Sequence, residues 1–313
     1  MLMTLENPRA PILVTGAHRS GSTWVGRILS RAPGVGYLHE PFNASPMYPQ
    51  PRDAPMTYWY LYLDDQAPAA YHHHFEQLLR WRYRLGARLL AIQGRRQLLM
   101  GLKYSWLCRR QRGRRMCMKD PLALFSAEWL VAHFGVLPVV MIRHPGAFVY
   151  SLLRKSWRPP WADLLAQERL MKRFFEADRA AMEACRQGAW SMTAQAALMW
   201  TLLYKVVRVF QDEHPHWYFL KHETLSLDPE RQCQKLFEHL GLPYTETVAS
   251  YVRRSAAVDN PGATQSDEEL FQRNARANAT YWQQKLPPED IALIRKVSGG
   301  VWPDFYADTS WPH

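Results

Sequence analysis

The sequence is poor in cysteine and contains no CxxC pair. Only four cysteines occur in 313 residues: Cys108, Cys117, Cys185 and Cys233. A chain of this length can bury a substantial core without the help of disulfides. We therefore predict four free thiols in a protein of a reducing compartment.

Long apolar runs are also lacking. Four polar side chains interrupt the longest apolar stretch, around residues 194–210: Gln195, Thr201, Lys205 and Arg208. This interruption excludes a conventional transmembrane helix. Residues 1–11 lack the basic segment followed by an apolar segment that a signal peptide requires. We expect a soluble, cytoplasmic protein.

Acidic residues are outnumbered by basic ones, with 28 Asp and Glu against 39 Lys and Arg and a net charge of +11. This balance favours an anionic partner, which could be nucleic acid, an acidic membrane surface or a polyanionic small molecule. Part of the charge lies in residues 109–115, RRQRGRR. No nucleic-acid-binding motif accompanies this run. We predict no nucleic-acid partner and interpret the run as a solvated loop or a rim that steers an anionic ligand.

Signals for a metal site are weak. No pair of carboxylates with metal-ligand character is evident, and His72, His73 and His74 are consecutive. Three consecutive side chains on a helix point in different directions and cannot all face one ion. We therefore predict a solvated histidine patch and no metal.

The pattern that is present is an alternation of strands and helices. Strands are predicted by short apolar runs at residues 11–15, 35–38, 115–118, 137–142 and 217–220. Helices are predicted between and after them, at residues 24–30, 71–97, 124–134, 149–155 and 229–241. Polar groups gather where the strands end. This order predicts an α/β domain with a central parallel sheet in a three-layer α/β/α arrangement, which binds ligands at the carboxyl ends of its strands.

We predict one domain over residues 1–313. Residues 43–97 are predicted to form an acceptor-binding insertion, which begins with a loop rich in Pro and Tyr, and residues 156–213 are predicted to be mostly helical. Tryptophans are frequent in and near these regions and would suit stacking on sugar rings, although core packing explains them equally well. They are Trp59, Trp81, Trp106, Trp157 and Trp161.

A glycine-rich turn follows the first strand. Gly16 and Gly21 enclose four residues, which is the glycine spacing of the phosphate-binding P-loop. Ser22 stands where a nucleotide triphosphatase has lysine, while Thr23 keeps the hydroxyl position and Arg19 brings a cation into the loop. Backbone N–H groups at such a turn bind phosphate, but the missing lysine weakens the case for a triphosphate. An ordinary strand-to-helix turn is the alternative.

Residues 19–24, RSGSTW, closely resemble the 5′-phosphosulfate loop of sulfotransferases that use 3′-phosphoadenosine-5′-phosphosulfate (PAPS). The loop begins with Arg, as in carbohydrate and tyrosylprotein members. Residues 140–145, VMIRHP, with Ser151 eight residues after Arg143, resemble the family's 3′-phosphate site. Three weaker matches follow the family's order: residues 119–121 (KDP), residues 221–242, which resemble a Tyr-Glu-Asp-Leu segment and its helix, and residues 273–282, which resemble the C-terminal nucleotide loop.

The resemblance implies the sulfotransferase fold and a set of donor-binding residues. Those implied to bind PAPS, or the product PAP, are Arg19, Ser20, Gly21, Ser22, Thr23, Trp24, Arg143, Ser151, Ser266 and one of Arg273 and Arg276. Trp24 would stack near the adenine or else pack its helix. Ser266 would contact the sulfuryl group. The donor requires no metal to bridge its phosphates.

The resemblance also implies catalytic roles. Glu40 matches the glutamate that acts as general base in carbohydrate and tyrosylprotein members, with His39 as the second candidate base. A structural Glu40 paired with Arg19 is the alternative. Arg19 and Lys119 are implied to stabilise charge on the bridging and sulfuryl oxygens, and the alternative for Lys119 is a surface lysine.

Three functions compete on this evidence. The first is sulfuryl transfer from PAPS to a hydroxyl of a saccharide or small metabolite. The second is a P-loop-type kinase or nucleotide-triphosphate-binding protein, which the missing lysine disfavours. The third is a non-catalytic nucleotide or nucleic-acid binder that uses the basic surface.

Overall fold

Parallel strands form a single sheet in the part of the chain that the computed structural model describes, which is residues 9–45, 48, 53–82, 94–257 and 279–312. The strands are β1 Ile12–Gly16, β2 Val35–His39, β3 Arg115–Lys119, β4 Leu137–Ile142 and β5 Tyr218–Lys221. Their order across the sheet is β2-β3-β1-β4-β5, and every neighbouring pair is parallel. The predicted α/β fold with a central parallel sheet is confirmed.

Helices surround this sheet. They are α1 Ser22–Leu29, α2 Ala69–Leu79, α3 Arg95–Gln111, α4 Ala127–Phe134, α5 Pro145–Lys155, α6 Trp161–Leu165, α7 Glu168–Leu170, α8 Arg179–Arg186, α9 Met192–Glu213, α10 His222–Leu227, α11 Pro229–His239, α12 Glu246–Ala256 and α13 Pro288–Val297. Short 3₁₀ segments lie at Pro121–Ser126, Glu176–Asp178, Tyr281–Gln284, Trp302–Asp304 and Asp308–Ser310, and Met171–Phe175 is a π-helical turn.

The core lies on both faces of the sheet. Successive side chains of a strand point to opposite faces, so a strand buried on both sides reads as a continuous apolar run. In β4, Val139 and Met141 pack into one apolar cluster, and Val140 and Ile142 pack into another. Helices α1, α11 and α12 contribute to the first cluster, and α5 and α9 contribute to the second. These two covered faces are the three-layer arrangement.

Only residues 112–114 of the basic run at residues 109–115 form the exposed loop that was expected. Arg109 and Arg110 form the last turn of α3, and Arg115 is the first residue of β3. Arg115 is buried and donates to the carbonyls of Ala10 and Leu240, both at 2.7 Å. Charge alone did not predict that Arg109 and Arg110 belong to a helix.

The insertion also differs in part from the expectation. Instead of one helix over residues 71–97, the described residues form α2 and the start of α3. The preceding loop packs against the rest of the fold, and its residues Tyr60, Leu61, Tyr62 and Leu63 are buried in the core. Their backbone is fixed by side chains far along the chain; for example, Ser126 accepts from the Leu63 N–H at 3.0 Å.

The histidine patch is only partly solvated. His72 and His73 are exposed, but His74 is buried and its ring lies edge-on to Phe75 at 4.9 Å between centroids. All four cysteines are free and buried, as predicted. No helix in the described ranges is long and apolar enough to span a membrane.

Candidate active site

The glycine-rich turn connects the end of β1 to α1 and depends on glycine at both ends. Gly16 and Gly21 have positive φ angles of 122° and 91°. A Cβ on Gly16 would lie 2.4 Å from the Met141 carbonyl oxygen, and one on Gly21 would lie 2.5 Å from His222 Nδ1. Side chains are therefore excluded at both positions. We call residues 16–24 the phosphate loop.

The N-terminus of α1 is open to an anion. Gly21 is the N-cap, no side chain caps the first turn, and no acidic residue lies within it. The Ser20 hydroxyl is buried and has no hydrogen-bond partner among the described residues. An anion held by the free N–H groups would give this hydroxyl a partner and would be favoured by the helix dipole. The loop therefore fits a phosphate group.

Arg19, Arg143 and Ser151 meet at one side of the phosphate loop. Arg19 adopts a left-handed conformation with φ of 65°, and its Nε donates to the Ser151 hydroxyl at 3.0 Å. The Arg143 side chain donates to the Arg19 carbonyl. The Arg143 backbone is itself fixed, because its N–H donates to the Tyr204 hydroxyl at 2.6 Å. Arg19 of the glycine-rich turn is thus joined to Arg143 and Ser151, the two residues assigned to the 3′-phosphate.

Positive charge is concentrated at this point. Burial, and then the charges of Arg143 and Arg154, lower the pKa of Arg19 to about 10 against the opposing effect of Glu40. Like charges held together out of water are costly unless an anion joins them. The arrangement is suited to a second phosphate beside the one in the loop.

A buried Lys119 and a partly buried Glu40 form an ion pair at the carboxyl ends of β3 and β2. The Lys119 amino group donates to the Glu40 carboxylate, and the Glu40 N–H donates to the Lys119 carbonyl at 2.9 Å. Lys119 is only 1% exposed, so it is not a surface lysine. Asn43 Nδ2 donates to the second carboxylate oxygen of Glu40 at 3.1 Å. The direct partner of Glu40 is therefore Lys119 and not Arg19.

Glu40 and Lys119 shift each other's pKa values. Burial raises the pKa of Glu40, but the charge and hydrogen bond of Lys119, with His39 and Asn43, outweigh it and leave the pKa below its ordinary value. Burial lowers the pKa of Lys119, against the pull of Glu40. Burial and the charge of Lys119 lower the pKa of His39 to about 4. At neutral pH, Glu40 is therefore an ionised carboxylate and His39 is a neutral imidazole.

Asp120 holds the turn that carries Glu40, a role that the sequence analysis missed. Its buried carboxyl accepts from the N–H of Phe42 at 2.6 Å and from that of Leu122 at 3.0 Å. Burial, and then the charge of Glu40, raise its pKa to about 8. The missed signal was local: Asp followed by Pro121 is a typical start of a helical turn.

His18 is a second residue that the sequence analysis missed. It lies inside the phosphate loop, and its Nδ1 is hydrogen-bonded to the hydroxyl of Tyr60. Burial, with the charge of Arg19, lowers its pKa to about 3, so it is neutral. Its ring also contacts Phe148, with 5.0 Å between centroids. The bond to Tyr60 joins the phosphate loop to the insertion, and no local sequence pattern predicts it.

Trp24 packs between helices. Its indole Nε1 donates to the Ser255 hydroxyl of α12 at 2.9 Å, which is the contact expected from the packing alternative. Trp282 is buried and stacks on His144 at 4.7 Å. Ser266, Arg273 and Arg276 lie outside the described residues.

The exposed tryptophans differ in their relation to the site. Trp81 and Trp161 are buried, whereas Trp59, Trp106 and Trp157 are exposed. Trp157 borders the phosphate loop, because the Arg19 guanidinium lies 5.5 Å from its ring centroid. Trp157 is therefore well placed to line an acceptor site.

Metal-ligand side chains gather elsewhere in the described part of the chain, at Glu128, Glu213 and His214. Arg173 pairs with both carboxylates, at 2.7 Å to Glu128 and 3.5 Å to Glu213. His214 Nε2 lies 2.9 Å from Glu128. The cluster is an ion-pair network that already contains its own cation.

The sequence matches a protein-family model over most of its length. A sequence model of a family described as the sulfotransferase family matches residues 11–246. A sulfotransferase domain of an olefin synthase from Synechococcus PCC 7002 is 15% identical, with 91% of this chain and 94% of that one covered and a TM-score of 0.47. A sulfotransferase domain from the curacin biosynthetic pathway is 11% identical, with coverage of 93% and 96% and a TM-score of 0.46.

A third solved structure, sulfotransferase STF9 from Mycobacterium avium, is 14% identical, with 95% of this chain and 76% of that one covered and a TM-score of 0.46. No curated protein sequence matches the chain.

Proposed function

The chain belongs to the sulfotransferase family, and from this premise we propose that it transfers a sulfuryl group from PAPS to a hydroxyl of a saccharide or small-molecule acceptor. The observation that carries the donor assignment is the hydrogen-bonded connection of Arg19, Arg143 and Ser151 beside a phosphate loop that lacks lysine. PAPS has two separate anionic ends, a 5′-phosphosulfate and a 3′-phosphate. The phosphate loop could bind the 5′-phosphosulfate, and the adjacent cations could bind the 3′-phosphate.

The donor would be held mainly by the backbone of the loop. The N–H groups of residues 21–23 and the hydroxyls of Ser20, Ser22 and Thr23 would bind the 5′-phosphate. The Ser20 N–H itself donates to the Ala17 carbonyl at 3.2 Å. Arg143 and Ser151 would bind the 3′-phosphate. When bound, PAPS supplies an activated sulfuryl group with a phosphate as its leaving group. The protein then needs to position the acceptor and stabilise negative charge, and no metal is required in this proposal.

Glu40 is the proposed general base. Its carboxylate is ionised because Lys119 holds its pKa low, so it can accept the acceptor's proton. Lys119 has three N–H donors, and the pair with Glu40 uses one of them. The same ammonium can therefore orient the base and, together with Arg19, stabilise developing charge on oxygen. His39 is the competing base, since its imidazole is neutral and its Nε2 lies 3.8 Å from Glu40 Oε1.

Trp157 supports an acceptor with a ring. An exposed indole next to Arg19 can stack on the apolar face of a sugar while hydroxyl groups remain near Glu40. We therefore assign Trp157 to the acceptor side of the site.

Calorimetry with three ligands tests the donor assignment: PAP, ATP with Mg²⁺, and a short oligonucleotide. We expect PAP to bind and the other two to bind weakly. Tight ATP binding without PAP binding would contradict the proposal and favour a P-loop kinase or nucleotide-triphosphate-binding protein. A screen of hydroxylated acceptors with labelled PAPS then tests the transfer itself, and acceptance by saccharides is the expected result.

A further inference from the structure

Helix α3 exposes a stripe of large apolar side chains. Leu98, Leu99, Leu102 and Trp106 are 38%, 64%, 49% and 56% exposed. Residues three and four positions apart are neighbours on a helix surface, so these four side chains form one continuous patch. We call them the α3 stripe. A grouped exposed patch of this kind marks an interaction surface, whereas single exposed leucines are ordinary.

Cations surround the α3 stripe. Helix α3 contains no Asp or Glu, and its basic residues are all exposed: Arg95, Arg96, Lys103, Arg109 and Arg110. The Arg110 guanidinium lies 4.8 Å from the Trp106 ring centroid, so the aromatic and basic groups are adjacent. An apolar stripe with basic flanks and a tryptophan at its edge is typical of helices that lie in the interface of an anionic membrane.

The stripe is not needed to hold α3 in the fold. Gly101 and Cys108 are the buried residues of this helix, and they lie on its inner side. On the same side, the Tyr104 hydroxyl donates to the His39 carbonyl at 2.5 Å. The inner side therefore attaches α3 to the end of β2, and the stripe remains available for a partner.

We propose that α3 docks on the surface of an anionic phospholipid bilayer, with the α3 stripe at the boundary between headgroups and acyl chains. The flanking guanidinium and ammonium groups bind lipid phosphates. A nucleic acid would satisfy the cations but would leave the leucines without an apolar partner. A second copy of the chain would cover the leucines but would bring two sets of five cations together.

Docking would place the end of β2, which Glu40 follows, close to the membrane, because Tyr104 joins α3 to β2 through the His39 carbonyl. An acceptor carried by a lipid would then be within reach, and this consequence rests on the proposed function. The proposed docking does not rest on the proposed function, because the test of docking needs neither PAPS nor an acceptor.

Vesicle flotation tests the docking. The full chain is mixed with vesicles of phosphatidylcholine alone or of phosphatidylcholine with phosphatidylglycerol. We expect binding to the anionic vesicles and its loss at high salt. The double variant Leu99→Gln/Trp106→Gln should bind about tenfold more weakly because two large apolar groups no longer enter the interface. Leu227→Gln, which changes a leucine of α10 that is 58% exposed, is the matched control and should bind normally.

The contribution of the basic residues of α3 is tested in the same flotation assay. Arg109→Gln/Arg110→Gln should weaken binding at least about tenfold, since each cation near an anionic surface contributes on the order of 1 kcal/mol. Arg231→Gln/Lys235→Gln removes two exposed cations of α11 and should have a much smaller effect. All variants should keep the melting temperature of the unmodified protein.

Three results would overturn the proposal. The first is no binding of the unmodified protein to anionic vesicles. The second is equal weakening by the α3 and control variants, which would indicate a general effect of net charge. The third is lipid-free self-association that Leu99→Gln/Trp106→Gln abolishes, which would show that a second copy covers the stripe.

Discussion

The Lys119 amino group is bonded to the Glu40 carboxylate across the ends of two adjacent parallel strands. The sequence analysis assigned these residues separately, one as a cation for the donor and one as a general base. Their pairing means that the charge of each depends on the other. A change at either position therefore alters both the proton acceptor and the cation beside it.

Glu40→Gln should reduce turnover by about 10²–10⁴-fold, which is the usual contribution of a positioned base. The amide keeps the size of the side chain but cannot accept a proton. PAP affinity should remain nearly unchanged, because the phosphate loop and Arg143 are intact. Steady-state kinetics and calorimetry with PAP measure the two effects. His39→Asn is the companion variant, and a larger loss there, with full activity in Glu40→Gln, would transfer the role of base to His39.

Arg143→Ala should weaken PAP binding by about 10–100-fold, because a hydrogen bond between charged groups contributes on the order of 1.5–3 kcal/mol. Arg143→Lys should recover part of this loss, since it keeps the charge but not the planar fork. Arg208→Ala is the control, because it removes an arginine that pairs with Asp304 on the surface. Unchanged PAP affinity in Arg143→Ala would contradict the assigned 3′-phosphate site.

The strands could be predicted from the sequence because parallel strands buried on both faces produce short, continuous apolar runs. The prediction for β4, residues 137–142, matches its observed bounds. The phosphate loop could also be predicted, since its glycines are required by local backbone geometry.

The contacts that complete the site could not be predicted, because they join distant segments. Glu40 and Lys119 are 79 residues apart, and His18 and Tyr60 are 42 apart. Only the register of β2 on β3, which places His39 beside Lys119, brings the first pair together. Helix α3 was missed for another reason: its polar and apolar residues do not separate into a core-facing and a solvent-facing side.

Asp120→Asn should change the pH dependence of stability. The pKa of Asp120 is raised from 3.8 to about 8 in the folded protein. Between these pH values the folded chain holds a proton on Asp120 that the unfolded chain has released. The stability that comes from this bound proton is therefore full below pH 3.8 and is lost as pH rises through about 8. Asn does not titrate, so the stability advantage of the unmodified protein should shrink across this window.

Urea unfolding at several pH values measures this difference. The change should not exceed about 1.4 kcal/mol per pH unit, the limit for one proton. In a Glu40→Gln background the window should move to lower pH, because the Glu40 charge is the second cause of the raised pKa. A difference that stays constant from acid to alkaline pH would mean that folding does not raise the pKa of Asp120.

Tyr60→Phe should weaken both stability and donor binding. The Tyr60 hydroxyl is bonded to His18 inside the phosphate loop, where Tyr60 is buried and His18 is partly buried. Removing the hydroxyl leaves a buried imidazole nitrogen without this partner, which should cost about 1–3 kcal/mol of unfolding free energy. PAP affinity should also fall, because His18 no longer holds the loop in one conformation.

Tyr71→Phe separates these two effects. The Tyr71 hydroxyl donates to the Pro55 carbonyl at 2.7 Å, within the insertion but away from the phosphate loop. This control should lower the melting temperature and leave PAP affinity unchanged. If both variants lose stability and neither loses PAP affinity, the bond between Tyr60 and His18 supports the fold alone. A loss of affinity confined to Tyr60→Phe would establish that the insertion positions the donor site through His18.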